Sequence, residues 1–161
     1  MRRVATALAA TVVLVCSVVA VGIWLVVRAQ PPQRPQISAY TNGQLTRVGP
    51  YKYCNTDLSE CETPRAMGEL HVTDRYPVQL SVPSSIARAP WFLIRLYEDP
   101  AHDTRELISD TKLAVTVATT DPARGRLVQL VVWPLVLVAS ADGQPARLVQ
   151  YGEWSVRMVW P

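Results

Sequence analysis

The sequence predicts a mainly β protein, an immunoglobulin-like β-sandwich preceded by one N-terminal transmembrane helix. Three observations carry this. An uncharged apolar run opens the chain. Beyond it, apolar residues recur mostly with period two. Turn residues then punctuate the alternating stretches at short intervals, as in all-β sandwiches.

Residues 4–27 hold no charge, and only Thr6, Thr11, Ser17 and Gly22 are not apolar. As a helix this run spans about 36 Å, enough for a hydrocarbon core of about 30 Å. A soluble helix would carry a polar stripe, and this one has none. Arg2 and Arg3 precede the run and only Arg28 follows it closely. That asymmetry places residues 1–3 in the cytoplasm and the C-terminal domain outside. An uncleaved signal anchor is the first reading. A cleaved signal peptide competes, since Val27-Arg28-Ala29 loosely resembles a small-x-small site, but the run is long for such a peptide. A lipoprotein signal at Cys16 fits poorly, with Val15 before it and eleven uncharged residues after it.

Residues 28–35 form a Pro-rich linker, with three prolines in the stretch AQPPQRP that favour an extended spacer. The exported domain is residues 36–161, large enough to bury its own core. Strands are expected around Val78, Leu80 and Val82, and around Leu113, Val115 and Val117. In the stretch from Trp91 to Tyr97, Trp91, Leu93, Arg95 and Tyr97 share one face, with Phe92, Ile94 and Leu96 on the other. Further along, Val128, Leu130 and Val132 alternate with Leu127, Gln129 and Val131. Trp154, Val156, Met158 and Trp160 make a closing strand. Turns fall at Asn42-Gly43, Gly49-Pro50, Pro83-Ser84-Ser85, Asp99-Pro100, Asp121-Pro122, Asp142-Gly143 and Gly152. Asp142-Gly143 between two apolar runs is a hairpin signature. Residues 127–139 are too short for a second membrane span and contain Pro134, so they read as two strands broken or bulged at that proline. Asp103 and Glu106 have capping-box spacing and suggest one helical turn over 103–110.

The chain has 16 basic and 13 acidic residues, a formal charge of +3. Arg2, Arg3 and Arg28 supply that surplus, so the exported part is neutral. It contains no block of Lys or Arg, which excludes a phosphate-binding stripe and hence nucleic acid as a partner.

Candidate chemistry is sparse. Cys54 and Cys61 are close in sequence in an exported domain and are expected to pair as a disulfide. A zinc reading would recruit His71 with Asp57 or Glu60, but the cysteine spacing is too wide for a zinc pair. His71 lies in a strand and His102 in an acidic loop, and no nucleophile or metalloprotease motif accompanies either. Glu98, Asp99, Asp103, Glu106 and Asp110 could offer oxygens to calcium, but no EF-hand spacing is present, and a solvated acidic loop is the simpler reading. Among Tyr51, Tyr53, Trp91, Trp133, Trp154 and Trp160, core packing is expected for Trp91, Trp133 and Trp154, and Trp160 is expected to be the most exposed. Catalytic, cofactor-binding and metal residues are therefore expected to be none.

Several stretches together carry a resemblance: Tyr53-Cys54…Cys61-Glu62, then Pro77-Val78-Gln79-Leu80-Ser81-Val82-Pro83, Ala89-Pro90-Trp91 and Gly152-Glu153-Trp154-Ser155-Val156-Arg157. With the anchor and spacer, the chain resembles a family of actinobacterial envelope proteins catalogued as domain of unknown function 2771. The resemblance implies an exported, membrane-associated domain and supplies no activity or catalytic residue. The functional expectation is a noncatalytic binding or accessory module in the cell envelope. It sits on the membrane through residues 4–27 and holds an envelope protein, glycan or lipid. A lipid or small-ligand carrier and an envelope hydrolase are the alternatives.

Overall fold

The computed structural model describes residues 2–29, 34–55, 57–109, 111–139 and 145–161, with helix side chains described from Val12 onward. The chain divides into two compact units, residues 1–33 and 34–161. In the first, helix α1 runs Arg2–Ala29. Its segment Val12–Ala29 is long and apolar enough to cross a membrane, and none of it is buried within the protein. The small polar side chain of Ser17 satisfies itself inside the helix by donating to the Val13 carbonyl at 2.8 Å. Arg28 stacks over Trp24 at 4.8 Å, placing a cation and an amphipathic ring together at the end of the apolar run.

The second unit is a sandwich of two β-sheets. Among the described residues its strands are β1 Ile37–Thr41, β2 Gln44–Val48, β3 Lys52–Cys54, β4 Cys61–Glu62, β5 Gly68–His71, β6 Val78–Ser81, β7 Trp91–Tyr97, β8 Thr104–Ile108, β9 Ala114–Val117, β10 Thr120–Asp121, β11 Gly125–Val138, β12 Arg147–Gln150 and β13 Gly152–Val159. The smaller sheet has the order β2-β1-β6-β9, and the larger β4-β3-β13-β11-β7-β8, with β5, β10 and β12 added to its central strands. This neighbour order is the immunoglobulin one. Strands β1, β6 and β9 make one sheet, and the last strand β13 lies beside β11, then β7, then β8 in the other. The β13–β5 pairing is parallel.

One core joins both sheets. Ile37, Ala39, Val78, Leu80 and Val117 come from the smaller sheet, and Trp91, Leu93, Leu130, Val132, Trp154 and Val156 from the larger. Trp91 and Trp154 are fully buried, as the sequence predicts. Asn42 and Gly43 both take positive φ (41° and 79°) in the two-residue turn closing the β1–β2 hairpin, the backbone that an Asn-Gly pair suits.

Four local expectations change. The register of β11 against β7 slips between Leu127 and Gln129. This bulge at Val128 lets Leu127 point inward together with Leu130 and Val132, although strict alternation would have opposed them. Pro134 does not break the strand. β11 continues through it while changing partner, from β13 over Gln129–Val132 to β12 over Leu135–Val138. The proline carbonyl accepts from Tyr151 N at 3.2 Å at the junction, and pairing to β7 ends there, so the missing N–H costs no interior ladder bond. The helical turn predicted over 103–110 is absent. A 3-10 turn instead spans Pro100–His102, capped by Asp99, and 104–108 is strand β8 against β7. Pro at the first helical position and Asp at the cap outcompete the later Asp103–Glu106 spacing. Trp160 is half-buried, its Nε1 donating to the Leu127 carbonyl at 3.0 Å. The Asp142-Gly143 turn, Asp110 and linker residues 30–33 lie outside the described residues, although the two strands of the predicted hairpin do pair.

Candidate functional site

Strand β7 is apolar on both faces. Trp91, Leu93 and Tyr97 enter the core, which leaves Phe92, Ile94 and Leu96 on the outer face of the large sheet. Register extends that face sideways. Phe92 stands opposite Leu107 of β8 and Trp133 of β11, and Ile94 opposite Arg105 and Val131. Arg105 lies over the Phe92 ring at 3.6 Å and within 5.2 Å of the Trp133 ring. The guanidinium thus bridges the two aromatic faces. Trp133 Nε1 donates to Glu153 Oε2 at 3.1 Å on β13, which fixes the ring beside a carboxylate. Leu107, at the rim, is 52% exposed. Below this row Gln129 Nε2 donates to Ser155 Oγ at 2.6 Å. The face therefore has buried Ile94 and Val131 at its centre, half-buried Phe92 and Trp133 under the Arg105 guanidinium, and exposed Leu107 at its rim.

Trp133 is thus not a core residue, contrary to the sequence expectation. The inward parity of Leu130 and Val132 forces it outward. The sequence signal for this face is the second apolar set, Phe92-Ile94-Leu96. A strand covered by a core on one side needs only one such set.

Among the described residues the other candidates lie on separate elements and are engaged locally. Cys54 and Cys61 stand directly opposite each other on β3 and β4 and are joined by a disulfide. Closing so short a loop contributes roughly 2.5 kcal/mol by chain entropy. Asp57 on that loop accepts from Ser59 N and Ser59 Oγ, and these bonds hold its carboxyl below the usual carboxylate range. Glu60 N donates to Asn55 Oδ1 at 3.1 Å. His71 is exposed on β5 and lines a cleft of about 160 Å³ with Thr41, Asn42 and Gln44. His102 Nδ1 faces Asp99 Oδ2 at 3.8 Å on the surface.

The acidic residues are used locally. Asp99 caps the 3-10 turn through Ala101 N, Asp103 accepts from Tyr97 N at 2.9 Å, and Glu106 pairs with Arg95. Glu98 lies beside Gly125. Among the described residues no group of three His, Cys, Asp or Glu side chains could hold a metal ion. Tyr51 N donates to the Glu153 carbonyl at 2.7 Å. Tyr53 packs edge-on against Tyr151 and Trp154. Burial, aided by the neighbouring Tyr53, pushes the Tyr151 phenol up to about 12.

Comparison with known proteins adds a family. Residues 30–159 match the profile of a family described as protein of unknown function (DUF2771). The chain belongs to this family. It is also 53% identical, over 99% of both chains, to an uncharacterized protein of Mycobacterium bovis and to uncharacterized proteins of two Mycobacterium tuberculosis strains. These alignments include the apolar N-terminal segment, which the family profile leaves out. No solved structure matches the chain.

Proposed function

We propose that this protein is a noncatalytic binding or accessory module of the cell envelope. In this reading residues 1–3 are cytoplasmic, 4–27 are a retained anchor, 28–35 are a spacer, and 36–161 are exported. The outer face of the large sheet then holds a protein partner close to the membrane. The observation that carries the reading is the Phe92–Arg105–Trp133 stack with exposed Leu107 at its rim. Export is supported by the disulfide, which persists in oxidising compartments, and by the basic residues that precede the apolar run. The carrier alternative has less support. Two clefts among the described residues at the C-terminal end of the sandwich measure about 160 and 210 Å³, below the roughly 300–1,000 Å³ of ligand sites.

The test is site-specific photocrosslinking in cells. A benzophenone amino acid at Leu107 is expected to capture a discrete protein, and Arg105→Glu to abolish the adduct. The same probe at Leu45, exposed on the opposite sheet, is the control. Equal adducts at both positions, or none at Leu107, would refute the proposal.

A further inference from the structure

The end of the sandwich where the chain enters from α1 has a distinct surface. Entry is fixed by two contacts. Arg34 pairs with Glu62 on β4, and the Pro35 carbonyl accepts from Trp154 Nε1 at 2.9 Å. Both partners lie at the start of β13, since Glu62 stands opposite Tyr53 and Tyr53 opposite Gly152. The β11–β12 ladder continues past this level. Leu148 precedes Gly152 by four residues, roughly 13 Å along an extended strand.

At its far part Leu137 and Leu148 are a cross-strand pair, 64% and 49% exposed, with Arg147 beside them. One further exposed apolar residue with basic neighbours lies at the same end of the smaller sheet. Leu113, also 49% exposed, binds Val82 N through its carbonyl at 2.9 Å. Thr111 N donates to the Ala87 carbonyl at 2.8 Å, which brings the loops bearing exposed Lys112 and Arg88 together.

We infer that this end of the domain docks on a bilayer surface bearing anionic headgroups, with Leu113, Leu137 and Leu148 seated at the interface and Arg88, Lys112 and Arg147 on the headgroups. The inference rests on the proposed retained anchor. Six residues separate Val27 from Arg34, and the seven Cα–Cα steps between them span at most about 25 Å even fully extended. The end of the domain that holds Arg34 is therefore the end kept near the membrane. Apolar side chains interleaved with cations are what an interfacial site requires. A protein partner at this end would have no such reason to share it with the tether.

The test uses the full chain, with Cys16→Ser, in lipid nanodiscs. A fluorophore on Leu137→Cys, and separately on Leu148→Cys, is read against lipids carrying a quencher near the headgroup. Tyr76→Cys, exposed in the loop between β5 and β6, is the control. Intact disulfide and far-UV circular dichroism verify folding. Labels at 137 and 148 are expected to be quenched at least twofold more than at 76, and 30% phosphatidylglycerol to enhance this over phosphatidylcholine alone. Lys112→Glu with Arg147→Glu is expected to remove the enhancement. Quenching equal to that at 76 would overturn the docking, and quenching indifferent to anionic lipid would overturn the headgroup assignment. Carbonate extraction and intact mass of the native protein report separately on whether the anchor is retained.

Discussion

Adding one methyl at Gly68 is expected to destabilise the domain, and removing one side chain opposite is expected to offset that loss. Gly68 opens β5 in the large sheet, and Val48 ends β2 in the small one. A Cβ at Gly68 would stand 2.1 Å from Val48 Cγ2, whereas carbon atoms pack at about 3.5–4.0 Å. Val48 is buried in the core and stiff at χ1, so it cannot rotate away cheaply. Overpacking of this kind costs about 1–3 kcal/mol. The narrower unfolded ensemble of Ala returns about 0.4–1 kcal/mol, so Gly68→Ala is expected to lose about 1–2 kcal/mol net. Val48→Ala alone removes two buried methyls and costs about 2–3 kcal/mol. In the double variant the new methyl occupies the vacated space. Its loss is expected to fall at least about 1 kcal/mol short of the sum of the single losses. Urea unfolding followed by tryptophan fluorescence, with m-values held constant, measures all four proteins. A neutral Gly68→Ala, or additivity within about 0.5 kcal/mol, would refute the reasoning.

Two further predictions concern buried aromatic groups. Trp91 and Trp154 are equally buried, but Trp91 Nε1 has no hydrogen-bond partner among the described residues, while Trp154 Nε1 is bonded to Pro35. Trp91→Phe is therefore expected to cost about 1 kcal/mol less than Trp154→Phe, because it also removes an unsatisfied donor; equal losses in urea unfolding would contradict this. Tyr151 is neutral in the fold, with its phenol raised from 10.0 to about 12. Its stabilising share is complete below pH 10 and is lost as pH rises from 10 to 12, because the unfolded chain ionises first. Thermal unfolding across that range is expected to show a smaller fall for Tyr151→Phe than for the parent; parallel falls would count against the assignment.

The sandwich was legible because β6 and β13 obey simple alternation, with Val78 and Leu80 in one and Trp154, Val156 and Met158 in the other pointing inward. The outer face of the large sheet was legible only in part. Phe92, Ile94 and Leu96 were visible as a second apolar set, but their junction with Trp133 and Arg105 depends on strand register. That register depends in turn on the bulge at Val128, and a one-residue insertion leaves no mark in composition. Pro134 misled for a related reason. A proline is read as a break when every N–H is assumed to have a ladder partner, yet here the strand exchanges neighbours at that residue.

The way the chain enters the sandwich also sets how the domain bears force. Tension applied at Arg34 first meets the ion pair to Glu62 and the bond from Trp154, which pass it to the β3–β4 hairpin and the central strand β13. Beyond them lies β1, hydrogen-bonded along both edges, to β2 and to β6. Those bonds run perpendicular to the strand, so a pull along β1 would load them together in shear. A load entering at Arg34 is thus shared between the larger sheet, through Glu62 and Trp154, and the smaller one, through β1.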